Sequence, residues 1–362
     1  MTKLRRVALR NAKAGMVLGR PIYDSHGKMI FDSGTRLDDD SLTSLAACAV
    51  GEILIEDWRV TDVPAGPVFA PEIEAQATLA LRQLITESRI SKRIDSGLLE
   101  QVTRPIYMMT RSLYPEVIGE PNVAGCMSLE DYDYVQPVRA AGLSLLMGKV
   151  ANCSMLKLAE LGIAAVLMNI GYVLMPPEIL AKSGLLTEDE FQEIKKHPRI
   201  GYELLNRCSH LGPEVAEAVL QHHERCNGSG YPSGLKNGEI SFFAKVIAIA
   251  DTYYTLVSRR SYRKNVMPNE AIEYIMAYSG EIFDSELVQL FARQVPLYPS
   301  GVPVKLSTGE IGIVTDSNIG HVGRPVVRIC YDKNITQLGE TYDLDLSRKE
   351  YQNITVVEVM DY

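Results

Sequence analysis

The pattern of apolar and polar positions predicts a small α/β domain at the start of the chain. Residues 52–58 alternate apolar and acidic side chains, as a half-buried strand does. Residues 25–28 form a polar turn between two apolar runs, which predicts a strand, a turn and a strand. Asp38 precedes a run to Ala47 that has the pattern of a short capped helix. We therefore predict an α/β domain over residues 1–62 that senses a signal or contacts a partner.

A linker and connecting helices are expected next, over residues 63–118. Residues 63–71 contain three prolines in nine positions, which is typical of a linker. Residues 72–114 have apolar side chains at helical spacing, and Ser96 marks a break between two helices. Helices between domains often pair across a dimer, so a homodimer is one hypothesis.

The longest region, residues 119–298, is predicted to be helical. Thr187 precedes an acidic first turn, and Pro213 stands where a helix begins. Residues 299–362 change to short β-rich runs separated by turns. The predicted fold class is a multidomain protein: a mainly α-helical domain with a small N-terminal α/β domain and a small C-terminal β appendage.

Composition and charge narrow the function classes. Of the 362 residues, 46% are hydrophobic and 23% are charged, and the formal net charge is -8 without a long basic run. These values argue against a nucleic-acid polymer as partner. The six cysteines have no framework spacing, which favours reduced thiols. Since neither a secretory signal nor a run of about 20 apolar residues stands out, we expect a cytoplasmic protein without a membrane span.

The candidate chemistry is concentrated in the helical region. Four of the six histidines lie between positions 197 and 223, and His197, His222, His223 and Asp251 form the candidate metal site. Imidazole and carboxylate are ligands for Zn, Mn and Fe. Neighbouring residues of a helix point about 100° apart, so His222 and His223 converge only if the helix ends there. The glycine-rich turn that follows predicts this end.

The histidines and the arginines also have simpler, structural interpretations, whereas Asp251 favours a functional one. Histidines at helix ends are often ordinary structural residues. Asp251 lies in an apolar helix, where an unpaired carboxylate is costly to bury, so a partner cation is expected. Arg259, Arg260 and Arg263 suit a phosphate, but they also fit a solvated basic helix end.

Three segments together resemble the HD-GYP domain. The sequence HHERCNGSGYP is similar to the signature HHExxDGSGYP, and ADTYYTLVSRRSYR resembles ADxYDALTSxRxYR. The segment from Met168 to Leu205 resembles the block HDIGKxxxPxxILxKxGxLTxxExxxIxxHPxxGxxLL. The resemblance covers residues 130–298, and residues 1–62 also resemble the α/β domain often found before this module. The HD-GYP resemblance implies hydrolysis of cyclic di-GMP at a two- or three-metal centre that activates a bridging hydroxide.

The chain departs from this family at several positions of the expected site. The His-Asp pair that names the family falls on Met168 and Asn169, and the histidine of the first helix falls on Gln136. The remaining changed positions are Tyr172, Asn227 and Tyr254. The resemblance assigns metal binding to His197, His222, His223 and Asp251, and ligand binding to Gly230, Tyr231, Arg260 and Arg263.

These departures predict a degenerate HD-GYP domain that is catalytically impaired or inactive. The first hypothesis is a receptor or scaffold in bacterial cyclic di-GMP signalling, with one divalent ion (Fe, Mn or Zn) or none. The second is an active metal-dependent cyclic di-GMP phosphodiesterase with a remodelled centre. The third is an interaction module that binds no nucleotide. Expected partners are cyclic di-GMP or a related nucleotide, and signalling proteins such as diguanylate cyclases.

Overall fold

The structure is a computed structural model, and it describes residues 4–24, 28–48, 50, 52–57, 68–114, 132–180, 182, 184–208, 210–257 and 266–360. The helices are α1 (Asp39–Ala47), α2 (Pro71–Ser91), α3 (Ser96–Ser112), α4 (Tyr132–Val150), α5 (Met155–Leu167), α6 (Pro177–Leu180), α7 (Glu188–Ile194), α8 (His197–Leu205), α9 (Pro213–Gln221), α10 (Phe242–Val257), α11 (Pro268–Ala277) and α12 (Ser285–Gln294). The strands are β1 (Leu4–Ala8), β2 (Ile22–Tyr23), β3 (Met29–Phe31), β4 (Glu52–Glu56), β5 (Pro303–Leu306), β6 (Ile311–Asp316), β7 (Val326–Tyr331), β8 (Gln337–Asp345) and β9 (Val356–Val359). The predicted class is confirmed: the chain is mainly helical, with a small α/β part before the helices and a β part after them.

The described residues divide into two compact units. One unit contains the described parts of residues 1–68 and 292–362, and the other contains those of residues 69–117 and 129–291. The first and last described segments therefore belong to the same unit, although the long helical region separates them in sequence.

The N-terminal part of the first unit has the predicted α/β pattern. Strands β1 and β4 pair antiparallel, and so do β2 and β3. The predicted cap of α1 is confirmed, because the Asp38 carboxylate accepts a 2.8 Å hydrogen bond from the backbone N–H of Ser41. The turn predicted at 25–28 lies mostly outside the described residues, as does most of the linker at 63–71. The core of this part consists of Val7, Leu18, Leu37, Leu45, Val50, Ile53 and Ile55.

The C-terminal part of the first unit is an antiparallel sheet of five strands in the order β8-β7-β6-β5-β9. The sheet has its own core of Val302, Val304, Leu306, Val314, Val327, Ile329, Leu344 and Leu346. Arg6 of β1 connects the two parts: its backbone N–H donates to the Gly301 carbonyl (3.1 Å) and its Nε donates to the Ser300 carbonyl (3.0 Å).

The second unit is a helical bundle around α4. Residues 135–148 of α4 are all buried, because α4 packs against α2, α5 and α10. Helix α3 packs on α2 and α5, and α8 packs on α9 and on the short 3-10 turn Ile170–Leu174. The predicted helices between 72 and 114 are confirmed as α2 and α3, and the break between them lies at residues 92–95, directly before the predicted Ser96.

One segment of this bundle has the length and apolar composition of a membrane span. It runs over Met155–Leu174, contrary to the expectation that no such stretch exists. In the fold, 72% of its most apolar window is buried against the rest of the protein. Its composition therefore fits the position of α5 as a core helix of the bundle.

Candidate metal centre

The structure brings three of the predicted ligands together in the second unit. His197, His222 and His223 each offer a ring nitrogen, and these three atoms all lie within 4.8 Å of one another. His197 and His222 are fully buried, whereas His223 is half-buried. Three imidazoles at this spacing form a group that could hold one metal ion.

Hydrogen bonds fix the tautomers of the two buried rings. His197 Nδ1 lies 2.8 Å from the Ile194 carbonyl, and His222 Nδ1 lies 2.7 Å from the Val219 carbonyl. A carbonyl oxygen can only accept, so both Nδ1 atoms carry protons and both Nε2 atoms of the neutral rings present lone pairs. These two Nε2 atoms face each other at 3.2 Å. Two lone pairs at that distance repel, so the geometry fits a cation that both nitrogens bind.

The surroundings keep the three rings neutral. Burial, and then the adjacent His222, hold the pKa of His197 well below its usual value of 6.5. Burial lowers the pKa of His222 to about 4. Burial and the two neighbouring histidines likewise hold the pKa of His223 well below its usual value. Neutral imidazole is the form that binds metal, so all three are in the ligating form near pH 7.

The backbone explains why adjacent residues can both ligate. Helix α9 ends at Gln221, and His222 is its C-terminal cap, so the predicted helix end is confirmed. His197 is the first residue of α8, and its backbone packs against the 3-10 turn that contains Gly171. A Cβ at Gly171 would lie 2.0 Å from the His197 carbonyl oxygen, so this close approach requires glycine.

The glycine-rich loop after α9 packs against the cluster. The Tyr231 ring stacks on His223, with ring centres 4.7 Å apart and planes at 29°. A Cβ at Gly230 would lie 2.4 Å from the Arg225 backbone nitrogen, so glycine is needed there as well. Glu224 is 2% exposed and holds the loop by accepting hydrogen bonds from the backbone N–H groups of Ser233 (2.7 Å) and Leu235 (2.9 Å).

Asp251 is not a member of the compact histidine group. Its Oδ1 accepts a 2.7 Å hydrogen bond from Gln136 Nε2. This donor is a neutral amide, so the expectation of a partner cation at Asp251 stays a prediction. The resemblance places a histidine of the family at the Gln136 position, and here that position binds the carboxylate directly.

The other changed positions serve the fold. Met168 is fully buried at the end of α5, and Tyr254 is buried with its ring 5.2 Å from that of Tyr253. The Asn227 side chain accepts a 3.0 Å hydrogen bond from the Ser229 N–H and shapes the loop. Asn169 is half-buried at the N-terminal end of the 3-10 turn.

Tyr172, at the position of the family lysine, packs its ring against His197 with ring centres 4.4 Å apart. The predicted ligand-binding residues Arg260 and Arg263, with their neighbour Arg259, lie outside the described residues, so their roles stay predictions.

Sequence reasoning missed two residues that shape the site. Glu224 directly follows the histidine pair, and Gly171 lies two positions after Asn169 in the resembling block. Both stand in motifs that resemble the family, but their roles depend on contacts that the motifs do not specify.

Comparison with known protein families identifies two domains in the chain. Residues 123–287 match the HD domain, and residues 303–361 match the KOW domain associated with the HD domain. The cyclic di-GMP phosphodiesterase PA4108 of Pseudomonas aeruginosa is 28% identical, over 91% of this chain and 84% of that protein. The cyclic di-GMP phosphodiesterase of Thermotoga maritima is 39% identical over 155 residues, and the response regulator RpfG of Xanthomonas campestris is 37% identical over 169 residues. The matches to these last two cover 41% and 44% of their lengths.

A solved structure shows the same fold. The HDG"Y"P protein Bd1817 of Bdellovibrio bacteriovorus superposes with a TM-score of 0.50, at 14% identity, over 80% of this chain and 98% of that one. The two matched domains together cover more than half of the chain. The chain therefore contains an HD domain, and this is followed by the KOW domain associated with the HD domain.

Proposed function

We propose that this chain is a hydrolytically impaired HD-GYP protein that binds one divalent ion and a cyclic dinucleotide, and that acts as a receptor or scaffold. The observation that carries the proposal is the 3.2 Å separation of two unprotonated nitrogens, His197 Nε2 and His222 Nε2. A single ion relieves their repulsion, and His223 supplies a third ligand.

The backbone carbonyls support the same assignment. Metal-binding histidines commonly donate their other ring N–H to a carbonyl or carboxylate, which fixes the ring for the metal. His197 and His222 both do so, to Ile194 and Val219. When bound, a divalent ion would supply Lewis acidity towards a phosphate oxygen.

The residues do not fit a second ion as they fit the first. Hydrolytic sites with two metals use both ions to clamp the attacking and leaving oxygens. At the corresponding positions this chain has a buried Met168, the neutral amide of Asn169, and Gln136 bonded to Asp251. Thioethers and neutral amides are poor substitutes for imidazole and carboxylate with hard ions. Binding without efficient hydrolysis is the result we expect.

The nucleotide would lie against the loop at Tyr231. Its ring already stacks on His223, and burial, with the nearby Asp251, raises the pKa of Tyr231, so its hydroxyl stays a donor near pH 7. Arg260 and Arg263 complete the proposed binding residues on the strength of the resemblance. Curated relatives are named cyclic di-GMP phosphodiesterases, which makes cyclic di-GMP the first ligand to test.

A second candidate is an active phosphodiesterase with a remodelled centre. It is favoured by the three-histidine group itself, because catalytic zinc sites use three protein ligands and leave one position open. The two candidates share the metal and the ligand and differ only in turnover.

The test is made on one preparation of the full chain. Elemental analysis should find about one divalent ion per chain, since three histidines complete one site. Calorimetry should show cyclic di-GMP binding, and incubation with added Mn or Fe should release neither pGpG nor GMP. Clear turnover would establish the second candidate instead. Absence of cyclic di-GMP binding would refute the receptor and favour an interaction module. His222→Ala should lose the ion, whereas His210→Ala, at an exposed histidine of the same domain, should keep it.

A further inference from the structure

Lys195 lies beside the histidine cluster and is not one of the three residues that could hold the ion. It is the C-terminal cap of α7 and precedes His197 by two residues. Its ammonium stands 4.5 Å from the centre of the Phe191 ring and 5.8 Å from the centre of the Tyr231 ring. Since the Tyr231 ring stacks on His223, the ammonium is only one ring away from a proposed metal ligand.

Lys195 differs from two other lysines of this region in the groups that surround its charge. Lys196 forms an ion pair with Glu193, and Lys182 forms one with Glu190 at 2.5 Å. Among the described residues, the half-buried Lys195 has no carboxylate within ion-pair distance, and its ammonium lies over the Phe191 and Tyr231 rings. A cation that no carboxylate neutralises keeps its full charge for an incoming anion.

The two aromatic rings position the Lys195 ammonium but do not neutralise its charge. A cation over aromatic faces is stabilised less than a cation that forms a charge-assisted hydrogen bond. Lysine is a compact point charge that binds phosphate well. The Tyr231 hydroxyl and the ion of the histidine cluster would supply further groups that attract a phosphate oxygen.

We infer that Lys195 is a phosphate-binding residue, whose ammonium contacts a phosphodiester of the bound cyclic dinucleotide beside the Tyr231 ring. The inference rests on the proposed function, because it requires that the nucleotide binds at the histidine cluster. It adds a binding residue that belongs to neither the metal ligands nor the glycine-rich loop.

The test compares two adjacent lysines in the full chain. Lys195→Met keeps the apolar stem and removes the charge, and Lys196→Met makes the same change at the exposed neighbour. By calorimetry with cyclic di-GMP, Lys195→Met should weaken binding at least about tenfold, the loss expected for a charge-assisted bond. Lys196→Met should stay within about twofold of the wild type. Lys195→Arg should restore much of the affinity, and the metal content should be equal in all four proteins.

The outcomes separate the two proposals. If the wild type binds cyclic di-GMP and Lys195→Met binds it equally well, Lys195 does not contact the phosphate, and the proposed function stands. If Lys195→Met also loses the metal, the residue acts through the structure of the centre and the inference is wrong. If the wild type itself binds no cyclic di-GMP, the proposed function fails, and this inference fails with it.

Discussion

Gln136 Nε2 donates a 2.7 Å hydrogen bond to Asp251 Oδ1 and so joins α4 to α10 inside the HD domain. The bond commits one oxygen of the carboxylate to a neutral amide. In the resembling family, this pair of positions carries a histidine and an aspartate that bind metal. The substitution at position 136 therefore leaves Asp251 with a protein donor, which explains how the carboxylate is retained in a helix that is otherwise largely buried.

Restoring the missing ligands should restore a second ion. The triple change Gln136→His, Met168→His and Asn169→Asp supplies two imidazoles and a carboxylate where the chain has an amide, a thioether and an amide. We expect the metal content, measured by elemental analysis, to rise from about one to about two ions per chain. Gln136→His alone is the control and should stay near one ion, because positions 168 and 169 still lack hard ligands. A triple variant that folds and still binds one ion would contradict this account of the lost site.

Removing the metal should destabilise the HD domain. An ion that binds only the folded state at 100 times its dissociation constant stabilises that state by about 2.7 kcal/mol. A domain of this size shifts its Tm by roughly 2–4 °C for each kcal/mol, so a chelator should lower the Tm by roughly 5–10 °C. Thermal melts with and without chelator measure this difference.

His197→Ala should melt at the same temperature with and without chelator, because the site has lost a ligand. His210→Ala removes an exposed imidazole of the same domain and should keep the wild-type response. If the wild type gives identical melts in both conditions, the histidine cluster does not hold an ion under those conditions, and the single-ion assignment is wrong.

Local features of the fold and of the site could be predicted because local residues determine them. Asp38 caps α1 as expected, and Thr187 begins α7 with a capping box whose partner, Glu190, is three residues away. The end of α9 at Gln221 follows from the glycine-rich sequence after it. In each case the partners are a few residues apart, so the sequence pattern contains the whole interaction.

Contacts between distant segments could not be predicted in the same way. The residues Gln136 and Asp251 are 115 positions apart, and their bond depends on how α4 and α10 pack. An isolated glutamine in a helix gives no sign that it will meet a carboxylate. The approach of Gly171 to His197 likewise depends on how two separate segments pack.

The loop at Tyr231 should depend on Glu224. This buried carboxylate accepts hydrogen bonds from Ser233 and Leu235, and Glu224→Ala would leave both N–H groups without their acceptor. We expect a loss of about 3 kcal/mol in the free energy of unfolding, since a hydrogen bond to a charged group contributes about 1.5–3 kcal/mol and the Glu224 carboxylate accepts two. Denaturant unfolding measures this loss. Glu203→Ala, at an exposed position of α8, should change it by less than about 0.5 kcal/mol. Equal stability of the two variants would show that the Glu224 carboxylate does not hold the loop.

Gly171 should be the position of the site that least tolerates a methyl group. A Cβ there would lie 2.0 Å from the His197 carbonyl oxygen, so Gly171→Ala must push α8 away from the 3-10 turn. Overpacking of this kind costs about 1–3 kcal/mol or more, and the displacement moves a metal ligand as well. We expect lower stability in denaturant unfolding and weaker binding of the ion.

Gly184→Ala is the matched control, because a Cβ there meets nothing within 4 Å. It should leave the free energy of unfolding unchanged within about 0.5 kcal/mol and the metal affinity intact. The informative comparison is metal affinity measured under conditions in which both variants are folded. A folded Gly171→Ala protein with wild-type affinity would mean that the position of His197 does not depend on this contact.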